Sequence, residues 1–220
     1  MKNLSNIALS LIVAGAFAQA NASTITISTG YSEAGVQASA AAYQAVVNAA
    51  VATPGAGYGS TSLTSYDNVS NHSLFGSNSN IASKSVISFG VSAADAGLWS
   101  FRSGVDFGRG GAMFLDGVAL DSKSSDMWWA GSYSSTSQFL AGSGTLAAGN
   151  HTLSIYGLEG CCDGGQQVQF KSATSNFTSF SSTDGLVSAV PEPSAYAMLV
   201  IGLGLLGFTA RRKQAAAFTA

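Results

Sequence analysis

Apolar and polar positions alternate through most of the chain, and this pattern predicts short strands. Residues 24–28 alternate regularly, which predicts an opening strand. Apolar residues then recur at helical spacing from Val36 to Ala50, which predicts a helix over 32–52, capped by Ser32 and ended by Pro54-Gly55. Residues 57–80 are rich in Ser, Asn and Gly, and they predict a long surface loop with room for one strand.

The rest of the body predicts a sandwich. Asp116-Gly117 separates two apolar runs, and such a pair favours a tight hairpin because both turn positions need positive φ. Many short strands at close spacing favour a sandwich or a barrel. We predict a mainly β protein, a single antiparallel β-sandwich of the jelly-roll kind with one N-terminal helix. The further strands are predicted over 85–91, 98–103, 112–115, 118–120, 137–140, 151–157 and 167–171.

Both ends of the chain predict targeting segments. A basic start, an apolar run over 7–18 and small-x-small patterns ending at Ala20 and Ala22 indicate a signal peptide over 1–22, removed by signal peptidase. The alternative, an N-terminal membrane helix, is disfavoured because the run is short for a bilayer core of ~30 Å. The β-sandwich domain is therefore predicted over 23–189.

The C-terminal segment, residues 190–220, combines three features. Pro191, Glu192 and Pro193 form a rigid break, residues 195–210 form an apolar run, and Arg211, Arg212 and Lys213 form a basic stop. Such a tail predicts a brief membrane helix with its cations on the cytoplasmic side. An ordinary tail anchor is the alternative.

The tail resembles the PEP-CTERM sorting signal of Gram-negative bacteria. That resemblance implies processing by exosortase, a membrane transpeptidase that cuts near Pro191-Glu192-Pro193. It also implies export across the inner membrane, transient anchoring by the C-terminal helix, and delivery to the cell surface or to an exopolysaccharide matrix.

The charge balance limits the partners. Only 9% of the 220 residues are charged, and residues 23–190 carry five basic and ten acidic side chains. A body with so few cations does not suit a polyphosphate, so we predict no nucleic-acid partner.

The stretch from Asp106 to Phe170 resembles a lectin-like module. Its order is an Asp and Gly loop, an Asp-Gly hairpin, a Trp pair, and an Ala-Gly-x-His strand that ends in an acidic Gly-rich loop. This resembles the protective-antigen-type β-sandwich of flocculins, yeast adhesins and some bacterial glycosidases. In the adhesin lectins a pair of neighbouring aspartates binds calcium beside the sugar, whereas here Asp106 is followed by Phe107. Cys161-Cys162-Asp163-Gly164 together with the tail resembles the CCXG family of PEP-CTERM proteins, which implies no particular activity.

Cys161 and Cys162 are the only cysteines. In an oxidising compartment they predict a vicinal disulfide, with intermolecular bridges or free thiols as alternatives. Such a ring forces a sharp turn. It would serve either as a structural lock or as a rigid sulfur surface that packs against a sugar or a partner.

Carboxylates and indoles are the remaining candidates for chemistry. Calcium takes oxygens from loop carboxylates and carbonyls, and Asp106 and Asp163 are its predicted ligands. Trp128 and Trp129 are adjacent, so on a strand one would enter the core and the other would face solvent, where an indole can stack on a sugar. We predict that Trp129 is the exposed one and that Trp129, Trp128 and Asp163 contact a ligand.

The predicted function is binding rather than catalysis. We expect an exported surface or matrix protein that associates with exopolysaccharide or another glycan, and no enzymatic activity. The alternative is a structural coat or adhesion module without a small ligand. An envelope glycoside hydrolase is the least favoured, because no motif places two carboxylates across a cleft.

Overall fold

The computed structural model describes residues 23–186 and the pair 202–203. The predicted signal peptide and most of the predicted sorting tail lie outside these described residues. Within them, no helix has the length and apolar character needed to cross a membrane.

Within residues 23–186, three antiparallel sheets form the domain. A six-stranded sheet has the order β2-β1-β3-β10-β6-β7, a four-stranded sheet has the order β12-β11-β4-β9, and β5 pairs with β8. Two α-helices, α1 (Ala40–Val51) and α2 (Asn71–Phe75), and a 3-10 turn, Thr136–Gln138, connect the strands. The strands are β1 (Thr24–Tyr31), β2 (Ser60–Leu63), β3 (Ser79–Val91), β4 (Gly97–Gly104), β5 (Asp106–Phe107), β6 (Gly111–Leu115), β7 (Val118–Lys123), β8 (Met127–Trp128), β9 (Phe139–Leu146), β10 (Gly149–Cys161), β11 (Gln167–Lys171) and β12 (Thr178–Ser179).

The main core lies between the two large sheets. Alternation along β1 directs Ile25 and Ile27 inward, and both side chains are fully buried. Aromatic rings from the four-stranded sheet meet them, including Trp99 and Phe101 of β4. Each fully buried side chain of this size contributes about 1.5–3 kcal/mol. The mainly β sandwich predicted from the sequence is therefore confirmed.

Helix α1 covers the outer face of the six-stranded sheet. Strand β10 is central in that sheet, so it is buried on both sides: Leu153 faces the main core, whereas Tyr156 faces the helix. Tyr43 and Val47 are the fully buried residues of α1, and they pack on this second apolar layer. The predicted helix exists, but its predicted start is wrong.

The helix begins at Ala40 and not near Ser32. Ser39 is its cap, because its hydroxyl accepts a hydrogen bond from Ala42 N at 3.2 Å. The preceding segment has no regular secondary structure, and the Arg109 guanidinium donates to its carbonyls at Ser32 and Ala34, at 3.4 and 3.2 Å. Those carbonyls are therefore not free to form helical hydrogen bonds.

The predicted surface loop over 57–80 is more ordered than the sequence suggested. It contains β2, α2 and the start of β3. Tyr66 in this segment is fully buried, and its hydroxyl lies 2.5 Å from that of Ser85 and 3.2 Å from Gln166 Oε1. The segment is thus anchored in the core by an aromatic side chain. The Asp116-Gly117 hairpin is confirmed, since both residues have positive φ, 49° and 80°.

Candidate functional site

The candidate site lies where three segments of the chain meet. Strand β5 directly follows the end of β4, and it pairs with β8 so that Asp106 is opposite Trp128. The end of β10 supplies Glu159 and Cys161, and the loop after it supplies Cys162 and Asp163. Residues separated by more than fifty positions in the sequence therefore share one surface.

The structure reverses the predicted roles of the two tryptophans. Trp128 is 66% exposed, whereas Trp129 is only 7% exposed. The Trp129 ring packs directly on Gly104 and lies 5.4 Å from the ring of Tyr133. The expectation that Trp129 is the exposed indole was wrong, because a two-residue strand offers no alternation from which to read its register. Trp128 is the indole available to a ligand.

Two surface concavities flank Trp128. One, of about 450 Å³, is lined by Asp106, Asp126, Glu159 and both cysteines, among others. The other, of about 460 Å³, is lined by Asp67, Asn68, Gln167 and several glycines, among others. Asp106 and Trp128 line both, so the two concavities adjoin at these residues. Together they form what we call the Trp128 groove, and each concavity is one half of it.

Carboxylates dominate the electrostatics of this groove. Burial is the main cause that raises the pKa of Asp106 to about 7, and the nearby charges of Glu159, Asp163 and Asp126 raise it further. The backbone N–H of Gly164 donates to Asp106 and opposes the shift. Asp106 therefore changes its charge near neutral pH.

This raised pKa predicts that acid stabilises the domain. An unfolded aspartate has a pKa of about 3.9, so between about pH 4 and 7 the folded state binds a proton that the unfolded state does not. Stability should therefore fall as the pH rises from about 4 to 7. Thermal unfolding at pH 5 and pH 8 should show a smaller difference for Asp106→Asn than for the wild type, and equal differences would contradict the assignment.

Two further carboxylates, the buried Glu159 and the half-buried Asp163, accept hydrogen bonds from backbone N–H groups. Glu159 accepts from the N–H groups of Gly108 and Cys161, the latter at 2.7 Å. Asp163 Oδ2 accepts from His72 N at 2.8 Å, so this carboxylate ties the first turn of α2 to the loop after β10. Burial raises the pKa of Asp163, and hydrogen bonds to the first turn of α2 oppose this.

These contacts bear on the calcium site predicted at Asp106 and Asp163. Calcium needs six to eight oxygen ligands, and both Glu159 oxygens accept from backbone N–H groups. Asp163 Oδ2 likewise accepts from His72 N, whereas its Oδ1 is buried without a hydrogen-bond partner among the described residues. Among the described residues, no three His, Cys, Asp or Glu side chains are arranged to hold a metal ion. Calcium binding at Asp106 and Asp163 stays a prediction.

Cys161 and Cys162 form the predicted vicinal disulfide, with Cα atoms 3.7 Å apart. Cys162 has a φ of +73°, and its N–H donates to Asn78 O at 2.8 Å, so the ring is fixed against the start of β3. Both cysteines are exposed and line the first concavity. The sulfurs thus form part of the wall of the groove that Trp128 divides.

Sequence reasoning missed the second half of the groove. Asp67 and Asn68 lie in the segment that was predicted to be a plain surface loop. Gln167 Nε2 donates to Asp67 Oδ1 at 2.6 Å, across 100 positions of sequence. The polar Asp67-Asn68 pair beside the buried Tyr66 was the available signal, but nothing in its sequence neighbourhood linked it to Trp128.

Comparison with known proteins identifies the tail. Residues 189–213 match the PEP-CTERM protein-sorting motif. The chain is therefore an exported protein that carries an exosortase sorting signal. No curated protein sequence shows a significant match to this chain.

Solved structures with a similar arrangement of strands are distant. A PA14 sugar-binding domain from an RTX adhesin is 11% identical with a TM-score of 0.48, covering 77% of this chain and 99% of that domain. The PA14 domain of the MpAFP antifreeze protein is 8% identical with a TM-score of 0.48, covering 76% and 93%. An epithelial adhesin A domain from Candida glabrata, in complex with β-lactose, is 10% identical with a TM-score of 0.43, covering 77% and 90%. None of these likenesses assigns a ligand to this chain.

Proposed function

We propose that this protein is displayed at the cell surface or in the surrounding matrix, where it binds a glycan through the groove around Trp128. The exposure of Trp128 carries this proposal, because an indole that is 66% exposed between two polar concavities has no role in the core. A flat aromatic face binds the C–H face of a sugar ring, while neighbouring carboxylates and amides accept or donate to its hydroxyls. Binding of host exopolysaccharide is the specific form of the proposal.

The two halves of the groove supply different partners for a sugar chain. In the first concavity Asp106 and Asp126 offer carboxylate acceptors, and the disulfide lines the same concavity. In the second concavity Asn68 and Gln167 offer amide groups that both donate and accept. A chain that crosses Trp128 would therefore meet hydrogen-bonding groups on both sides of the indole. The proposal includes no catalytic step.

Retention of purified domain on the polysaccharide of its own host tests the proposal. Trp128→Ala should weaken binding by about fivefold to thirtyfold, which corresponds to the roughly 1–2 kcal/mol of a lost stacking contact. The matched control is Val118→Ala, since Val118 is 68% exposed and does not line the groove. Equal retention of both variants, or no retention of the wild type, would reject glycan binding and favour the coat-module alternative. A chelator arm in the same assay tests the calcium prediction.

The sorting motif predicts a shorter mature protein. In a host that contains exosortase, the segment after about Pro193 should be removed, because the motif over 189–213 is the recognised signal. Mass spectrometry of the surface fraction measures the mature C-terminus. An intact C-terminal tail on the displayed protein would contradict this expectation.

A further inference from the structure

A second cluster of unusual side chains lies on the outer face of the four-stranded sheet, beside a concavity that shares no lining residue with the Trp128 groove. The Arg102 guanidinium lies between two aromatic rings, 3.8 Å from the centroid of Tyr133 and 3.9 Å from that of Phe177. Its Nε donates to Gln169 Oε1 at 2.7 Å. Both flat faces and one edge nitrogen of the guanidinium are therefore fixed.

The two terminal nitrogens of the Arg102 guanidinium differ from its Nε. Among residues 23–186 neither has a hydrogen-bond or ion-pair partner, and the two ion pairs found there involve other residues. A role in holding the Tyr133 and Phe177 loops against the sheet explains the two stacked faces. It does not explain why this edge, with its four N–H donors, is left without a protein acceptor.

A shallow concavity of about 310 Å³ lies beside this edge. Arg102, Ser100, Ser143 and Gly142 line it, together with the rings of Phe139 and Phe177. The hydroxyls of Ser100 and Ser143 are 2.9 Å apart on neighbouring strands. Lys171, which is opposite Ser100 on β11, places its ammonium 5.1 Å from the ring centroid of Phe177. One cation, two hydroxyls and two aromatic rings thus line the concavity, and a second cation lies against the ring of Phe177, in a protein whose body is acidic overall.

We propose that this concavity is a second binding site, and that it recognises a carboxylate on a sugar, as in a uronate residue of an acidic polysaccharide. A guanidinium edge matches a carboxylate with two parallel hydrogen bonds, and a guanidinium held flat loses less entropy on binding. The serine hydroxyls suit ring hydroxyls, and the aromatic rings suit the C–H face of a sugar.

The floor of the concavity favours a sugar over a peptide. Strands β4 and β9 are paired along their whole length, from Gly97 with Leu146 to Gly104 with Phe139. An acidic peptide would therefore find no free backbone groups beneath it, and only side chains are available for recognition. This site differs from the Trp128 groove in its residues and in its charge, so it stands whether or not that groove binds a glycan.

Binding of oligogalacturonate to the purified domain tests this inference, with the carboxyl-reduced oligosaccharide as the neutral comparison. The wild type should bind only the acidic form, and binding should weaken with salt. Arg102→Gln should weaken it on the order of tenfold to a hundredfold, as expected for the loss of hydrogen bonds to a charged group.

Two further variants separate binding from folding. Ser143→Asp places a negative charge in the concavity while Arg102 itself is retained, and it should weaken binding at least as much as Arg102→Gln does. Thr145→Asp adds the same charge on the same exposed face of β9, two residues away and outside the concavity, and it should retain most of the binding. Trp128→Ala should bind the acidic oligosaccharide as the wild type does. Equal binding of the reduced oligosaccharide, equal effects of the two Asp variants, or full competition by an acidic peptide would each overturn the inference.

Discussion

Phe180→Ala should destabilise the domain by about 3–5 kcal/mol, the range for removal of a buried phenylalanine. Phe180 is fully buried just after β12, near the end of the described domain. Its ring centroid lies 4.6 Å from that of Phe170 and 5.5 Å from that of Phe89. The ring therefore joins the four-stranded sheet to β3 of the six-stranded sheet, and its loss would leave a cavity between them.

The loss is large compared with the total stability of a domain, which is about 5–15 kcal/mol. The midpoint of thermal unfolding should fall by roughly 6–20 °C for a domain of this size. The exposed Val118→Ala should shift stability by only about 0.5 kcal/mol or less. A midpoint for Phe180→Ala within 2 °C or so of the wild type would show that the C-terminal segment does not close the core.

Features set by neighbouring residues were predictable from the sequence. Asp116-Gly117 specifies its turn through two adjacent residues, and β11 at Gln167–Lys171 has the bounds expected from its alternation. The vicinal disulfide also follows from the two adjacent cysteines in an exported chain. In each case the information is contained within a few positions.

Features set by distant residues were not predictable. Helix α1 starts late because Arg109, more than seventy positions away, holds the carbonyls of Ser32 and Ala34. Tyr66 is buried because it meets Gln166, 100 positions further along the chain. The orientation of Trp128 likewise depends on its pairing with Asp106, and neither residue belongs to a strand long enough to show a period. The candidate site was therefore recognised by residue type but not by geometry.

Gly157→Ala should disrupt the groove from beneath. Gly157 lies in the central strand β10, paired with Ser83 on one side and Gly111 on the other. The buried ring of Phe107 packs directly on it, and an added methyl group would overlap that ring. Phe107 follows Asp106 in the two-residue strand β5, so any movement of the ring also moves the carboxylate shared by both concavities.

The expected cost is at least about 1–3 kcal/mol, the usual range for overpacking, since neither a rigid ring nor a central strand can give way easily. Gly35→Ala is the matched control, because nothing lies within 4 Å of a methyl group at that position. Chemical denaturation of both variants measures the difference. In a Phe107→Leu background the smaller side chain should relieve the overlap, so the cost of Gly157→Ala should fall and the two changes should be non-additive. Additive costs would show that Phe107 does not transmit the change at Gly157, and that β5 is positioned by its pairing with β8 instead.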